Sequence, residues 1–271
     1  MAPSSNKVPS YASQFKYVDL SFPFENVLHV QLKRPPVNAF NEEFWREYGT
    51  AFDQIGQDPT VRVVVLSSAV DKAFSAGVDL SDLLALPRHE DIGRRALLTP
   101  AVHGVAFGLA LDALGAVDVR WAAEDVAFSI REVDVGLAAD IGTLARFPKL
   151  VGDLSWLYEV AFSGRVFGAQ EALQFGLVSR VVPGSREKVV KAALEFAEGI
   201  ARKSPVAVSG VKRFIAHALD HSVDAALEYQ ATWGAFALQA KDLSESAAAA
   251  KRKQKIEYEN LGVLERRKAK L

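Results

Sequence analysis

The segment that most constrains this chain is Val61–Leu66, a run dominated by β-branched residues. Such a run predicts a strand buried on both faces, and a strand of that kind needs further strands beside it and helices over it. The flanking sequence supplies both. Tyr17–Phe22 and Val27–Leu32 predict two short strands turned at Pro23–Asn26. Asn41 predicts the cap of a helix through Ile55, with Phe44, Trp45, Tyr48, Phe52 and Ile55 at helical spacing. Lys72–Leu86 passes from a glycine loop into a helix, and Val117–Ala122 and Val126–Ile130 predict further strands. Asp140–Lys149 predicts a capped helix. Ala169–Phe175 predicts another, ended by Gly176 and followed by strand Leu177–Val182. From Arg186 onward the pattern is helical, broken near Pro205, Ser222 and Asp242. This order predicts an α/β core with a helical C-terminal part. The boundaries expected are a disordered lead-in over 1–13, a core over 14–200 and a helical region over 201–271.

Composition narrows the chemistry. The chain has no cysteine, which excludes disulfides, thiolate nucleophiles and Cys-ligated metal sites. None of its five histidines sits in an H-E-x-x-H metal motif, so no metal and no cofactor are expected. Lys and Arg number 32 against 33 Asp and Glu, a balance that argues against nucleic acid as a partner. The longest apolar stretch, Pro100–Leu111, is too short to span a bilayer. Carboxylates remain as the chemical groups an enzyme here would use. The last 21 residues carry eight Lys/Arg and three Glu, and they end Ala269-Lys270-Leu271. That tripeptide resembles a peroxisomal address, so an import receptor is an expected partner and the peroxisome the expected compartment.

Two glycine loops carry the next signal. Ala73–Leu80 (AFSAGVDL) follows the buried strand, and His103–Asp112 (HGVAFGLALD) opens a helix among small residues. Glycine permits sharp turns that expose backbone N–H groups, and two such loops can aim two donors at one oxygen. Three acids follow. Asp112 sits among Ala110, Leu111, Ala113 and Leu114; Glu132 lies at the end of an apolar strand; Asp140 precedes Ile141-Gly142-Thr143-Leu144 and also suits a helix cap. Together with the loops they suit proton transfer next to a carbonyl.

AFSAGVDL, HGVAFGLALD, FSIREVDVGLAADIGTLARFPKLVG and SGRVFGAQEALQFGLVSRVV together resemble the crotonase (enoyl-CoA hydratase/isomerase) superfamily over residues 15–240. Within it, EVDVGLAAD most resembles the Δ3,5-Δ2,4-dienoyl-CoA isomerases. The resemblance implies a spiral of ββα units and a helical C-terminal region that assembles trimers or dimers of trimers. It implies an acyl-CoA thioester as substrate, with Ala76, Gly77, Val78, Asp79, Leu80 and Gly108 at the binding site. The N–H groups of Val78 and Leu109 would form the oxyanion hole. Asp112, Glu132 and Asp140 fall where those isomerases keep three acids, whereas a hydratase has glutamates at the first two positions and no acid at the third. The implied reaction is a 1,5-proton shift in fatty-acid β-oxidation, with Glu132 at C2, Asp140 at C6 and Asp112 tuning the site. The alternatives are an enoyl-CoA hydratase, a Δ3-Δ2-enoyl-CoA isomerase, or a degenerate subunit of the same fold.

Two departures stand out. The second loop reads Gly108-Leu109-Ala110 where many relatives have three glycines. The stretch from residue 80 to 102 is short by on the order of 30 residues for the fold it resembles. Leu97–Val102 is expected to be a poor central strand, because Pro100 has no N–H to donate.

Overall fold

The computed structural model describes residues 7–79 and 97–261. β1 (Val18–Phe24) and β2 (Val27–Leu32) form an antiparallel hairpin. β3 (Val63–Ser68), the strand grown from the β-branched run, lies parallel to β2 and is buried along its whole length. α1 (Glu42–Gln57) connects them, and Asn41 caps it by accepting from the Phe44 N–H at 3.0 Å. Its buried residues are those the spacing predicted, with Ala51 in addition. Phe40 stacks on Phe44 at 4.1 Å and fixes the chain's entry to the helix.

Beyond β3 the chain repeats one step. β3 hands over within a few residues to β4 (Ala73–Ser75), β5 (Leu97–Val102) to β6 (Val105–Phe107), and β7 (Trp121–Ala123) to β8 (Ala127–Ser129). The first strand of each pair joins a six-stranded sheet ordered β1-β2-β3-β5-β7-β10, where β10 is Arg180–Val182. The second joins a smaller sheet ordered β4-β6-β8-β9, where β9 is Phe167–Gly168. Each turn of the spiral therefore contributes one strand to each sheet, as the ββα expectation requires. A large apolar core containing Leu28, Leu66, Phe74, Leu111 and Phe128 lies inside. A second core lies where α6 (Arg186–Ala201) covers the outer face of the large sheet.

β5 corrects one expectation. Leu97–Val102 is a central strand, pairing with β3 through Leu66↔Pro100 and with β7 from Ala101↔Trp121. Pro100 is tolerated because its absent N–H falls where the ladder changes partner. On that flank Leu98 is already satisfied: its N–H donates to Asp118 Oδ2 at 2.7 Å, and its carbonyl accepts from the N–H groups of Asp118 and Val119. The helix expected over Asp140–Lys149 is also revised. It is a single turn, α3 (Thr143–Arg146), followed by a 3-10 turn over Phe147–Lys149, and its cap position is Gly142 rather than Asp140. α4 (Leu154–Ser163), capped by Asp153, stands where the sequence reading placed no element. In the expected lead-in, Lys7 pairs with Phe22, and the Tyr11 hydroxyl donates to Asp58 at 3.0 Å.

α5 (Ala169–Gln174) precedes β10, and α7 (Pro205–Ala218), α8 (Val223–Ala237) and α9 (Lys241–Arg252) form the helical end. Their breaks match those read from the sequence, but the helical reading to the end does not hold: α9 stops at Arg252 and residues 254–261 are not helical. Lys212 on α7 bonds Asp118 at 2.8 Å, and Arg62 bonds the Tyr258 carbonyl, so this end is tied back to the core. Val211, Ile215 and Leu219 form an exposed apolar stripe on α7. Among the described residues, no helix is long and apolar enough to cross a membrane. Leu80 and the Ala269-Lys270-Leu271 terminus lie outside the described residues.

Candidate active site

The two glycine loops meet. Gly77 has φ +94° and Gly108 φ +54°, both in the region that favours glycine. A methyl on Gly77 would stand 2.9 Å from the Phe107 carbonyl oxygen and 3.4 Å from the Leu109 nitrogen. A methyl on Gly108 would stand 3.8 Å from the Gly77 Cα and 3.3 Å from Glu132 Oε1. Both loops and one acid therefore share a single wall.

Backbone pairing orients the donors. Phe40 donates to the Gly77 carbonyl and accepts from the Asp79 N–H, each at 2.8 Å, in a parallel bridge centred on Val78. Alternation along an extended chain then turns the Val78 N–H to the opposite flank. Leu109 is the first residue of α2 (Leu109–Gly115), and a first-turn N–H has no acceptor within its own helix. The strained angle that a third glycine would otherwise absorb is carried by Gly108, so a leucine is accommodated at 109, where it is buried.

The first loop is held by residues that sequence reasoning missed. Asn38 is fully buried. Its amide donates to Ser68 Oγ at 2.7 Å and to the Phe74 carbonyl at 2.9 Å, while its Oδ1 accepts from the Arg34 N–H at 2.7 Å. The Ser75 hydroxyl donates to the Asn38 carbonyl at 2.8 Å, and Arg34 bonds Asp79 at 3.0 Å. Ala76 donates to the Val37 carbonyl at 2.9 Å. The one sequence signal for this clamp is the turn-prone Arg34–Asn38 stretch with two prolines.

The three acids occupy different surroundings. Asp112 is buried on α2; its Oδ1 accepts from the Thr143 N–H at 2.6 Å and from the Thr143 hydroxyl at 2.8 Å. Burial pushes its pKa up, and the two Thr143 bonds and the nearby Arg146 pull it back. Glu132 begins a 3-10 turn and is half-buried. Its Oε2 is buried without a hydrogen-bond partner. Burial, reinforced by the charges of Asp112 and Asp140, pushes its pKa up to about 7. Asp140 is exposed, on the loop ahead of α3. Val133, Val135, Leu137, Ile141 and Leu144 are exposed apolar residues on the same segments. The site thus joins backbone donors, a carboxyl that titrates near neutrality, two further acids and an apolar rim.

The enoyl-CoA hydratase/isomerase family model matches residues 24–99 and 95–261. The chain is 39% identical to the mitochondrial Δ(3,5)-Δ(2,4)-dienoyl-CoA isomerase of Rattus norvegicus, over 92% of this chain and 84% of the rat protein. It is 34% identical to the peroxisomal Δ(3,5)-Δ(2,4)-dienoyl-CoA isomerase of Arabidopsis thaliana, over 87% of this chain and 94% of that one. The compartment therefore differs among its relatives. The rat alignment runs to 278 positions, more than the 271 residues of the whole chain, so the rat protein carries residues that this chain lacks. The crystal structure of an enoyl-CoA hydratase from Bacillus anthracis superposes with a TM-score of 0.82 at 26% identity, over 90% of this chain and 99% of that one. By family match, by relatives and by fold, the chain belongs to the enoyl-CoA hydratase/isomerase (crotonase) family.

Proposed function

We propose that the protein isomerises 3,5-dienoyl-CoA to 2,4-dienoyl-CoA. The observation that carries this reading is Glu132: a carboxyl with a pKa near 7 whose Oε1 lies against Gly108, at the contact between the two donor loops. Its relatives named dienoyl-CoA isomerases add support.

The thioester oxygen would accept from the N–H groups of Val78 and Leu109, which stabilise the negative charge that develops when C2 loses a proton. Glu132, as carboxylate, takes that proton. The resulting dienolate is conjugated to C6, where Asp140 relays a proton from solvent, so one proton leaves the chain of carbons and one enters. Exposure of Asp140 lets it recover a proton from solvent, and Glu132 releases its own. Asp112, with one oxygen engaged by Thr143, shapes the field around Glu132. The apolar rim suits an acyl chain extending past both acids. The apolar stripe on α7 suits a homo-oligomer built through the helical end.

Isomerisation brings the diene into conjugation with the thioester carbonyl, so near-ultraviolet absorbance reports turnover. The purified chain should convert a 3,5-dienoyl-CoA, and Asp140→Asn should lose about 10²-fold or more in kcat. Rapid hydration of crotonyl-CoA with no dienoyl conversion would instead establish the hydratase reading.

A further inference from the structure

The reaction leaves one fully buried polar residue beside the acids without a role: Thr143. It gives two donors to a single carboxylate oxygen, Asp112 Oδ1. The backbone donor has a structural purpose. α3 starts at Gly142, which has no side chain to cap the helix, so Asp112 reaches across from α2 to accept a first-turn N–H. The hydroxyl bond goes beyond that purpose, because the helix end is already served. Two hydrogen bonds to one carboxylate oxygen favour its ionised form and oppose the burial that pushes the Asp112 pKa up. The Arg146 guanidinium, which occupies the space that a side chain on Gly142 would need, adds positive charge on the same side.

The groups bearing on Glu132 come from each packed element. Asp112 faces it from α2 and Asp140 from the loop ahead of α3, while the backbone N–H groups of Arg131 and Glu132 itself oppose the upward shift; Arg146 acts on Asp112. Its neighbour Arg131 lies over the Phe107 ring at 4.5 Å.

We propose that Thr143 is a positioning residue that divides the work among the acids: its two donors bias Asp112 toward the carboxylate, so that Glu132 is the member that gains and loses the proton, and they tie the Asp140 loop to α2. The inference rests on the isomerase reading for its catalytic meaning, but the charge division can be measured without turnover.

Thr143→Val keeps the shape and the N–H and removes the hydroxyl; Thr143→Ser restores the hydroxyl. Carbon-13 carboxyl NMR, with the Glu132 signal assigned by its loss in Glu132→Gln, follows the titration directly. In Thr143→Val, Asp112 should ionise at higher pH, its charge should oppose Glu132 less, and the Glu132 midpoint should fall by about half a pH unit or more. The acid limb of kcat/KM should move down with it while kcat drops about 10-fold, and Thr143→Ser should return both to the wild-type profile. If Thr143→Val does not fold, Asp112→Asn keeps the acceptor, removes the charge and should lower the Glu132 midpoint in the same direction. A Glu132 midpoint unmoved in Thr143→Val, or in Asp112→Asn, overturns the proposal. A wild-type chain inactive on dienoyl-CoA overturns the functional reading alone, and the NMR titration still decides this one.

Discussion

Replacing Gly77 with alanine places a methyl 2.9 Å from the Phe107 carbonyl oxygen, in a backbone conformation with φ +94°. Two costs follow, and they separate experimentally. The left-handed conformation costs a non-glycine residue about 1–2 kcal/mol. In a domain of this size that lowers Tm by roughly 2–8 °C. The contact costs geometry. The neighbour is backbone, held in β6 between β4 and β8, and cannot rotate away. The loops must part by about half an ångström to reach ordinary contact, and Val78 and Leu109, which flank the contact, part with them. Oxyanion donors act at about 2.7–3.1 Å, and removing one costs about 10²–10³ in kcat, so a partial displacement should cost about 10–100-fold. Gly176→Ala is the control. Gly176 has φ +82°, but its added methyl meets nothing closer than the Leu150 carbonyl oxygen at 3.6 Å, away from the site. Both variants should lose similar Tm, and only Gly77→Ala should lose kcat in the dienoyl-CoA absorbance assay. Equal kcat in the two variants would refute the claim that contact between the loops sets the oxyanion hole.

Two further outcomes follow from the site. Glu132→Gln should lower kcat about 10²–10⁴-fold. It should also change the pH dependence of stability. Because folding raises the pKa of Glu132 from 4.5 to about 7, its contribution to stability is complete below 4.5 and is lost as pH rises through 7. The Tm of Glu132→Gln relative to wild type should therefore rise between pH 4.5 and 8, and a constant difference would show that the carboxyl is not held protonated. Asn38→Ala leaves the Phe74 carbonyl and the Arg34 N–H without their buried partner and should cost about 2–4 kcal/mol, read from urea denaturation; a loss under 1 kcal/mol would show the first loop to be held by other contacts.

Much of the large sheet was legible because its strands are chemically uniform. Val27–Leu32 is bounded as the sequence predicts, and the Val61–Leu66 run is realised two residues later as Val63–Ser68. Of the smaller sheet only β8 was read, within the predicted Val126–Ile130 strand; Ala73–Ser75 and Val105–Phe107 were not, because strands of three residues are too short for any period to show. Pro100 misled for a different reason. The rule against proline in a central strand concerns a lost ladder bond, and here the ladder changes partner at that residue. The three acids were found by their apolar company, but their inequality was not. Asp112 is buried and accepts two hydrogen bonds from Thr143, thirty-one residues on in sequence, Glu132 is half-buried with an unpartnered oxygen, and Asp140 is exposed, and no local pattern in the sequence distinguishes the three.

The anchors of the two loops bear on the 80–102 stretch, which the sequence reading expects to be short for this fold. Among the described residues the first loop is held from upstream by Val37, Asn38 and Phe40 through backbone groups and by Asn38 and Arg34 through side chains, and from downstream by the His103 carbonyl, which accepts from the Phe74 N–H at 3.0 Å, and by the pairing of β4 with β6. The second loop is held from β8, where the Gly108 N–H donates to the Ser129 carbonyl at 3.0 Å, and from Lys72, whose carbonyl accepts from the Val105 N–H. These partners lie among the described residues on either side of the 80–96 interval. A chain can therefore shorten in that interval and still bring Gly77 against Gly108, provided the 34–40 clamp and the small sheet survive. The consequence is an ordering of sensitivities. Substitution at Asn38, far from the acids in sequence, should damage kcat more than replacement of the 80–96 interval by a relative's longer segment, because the first removes an anchor of the donor loop and the second leaves the anchors named above in place.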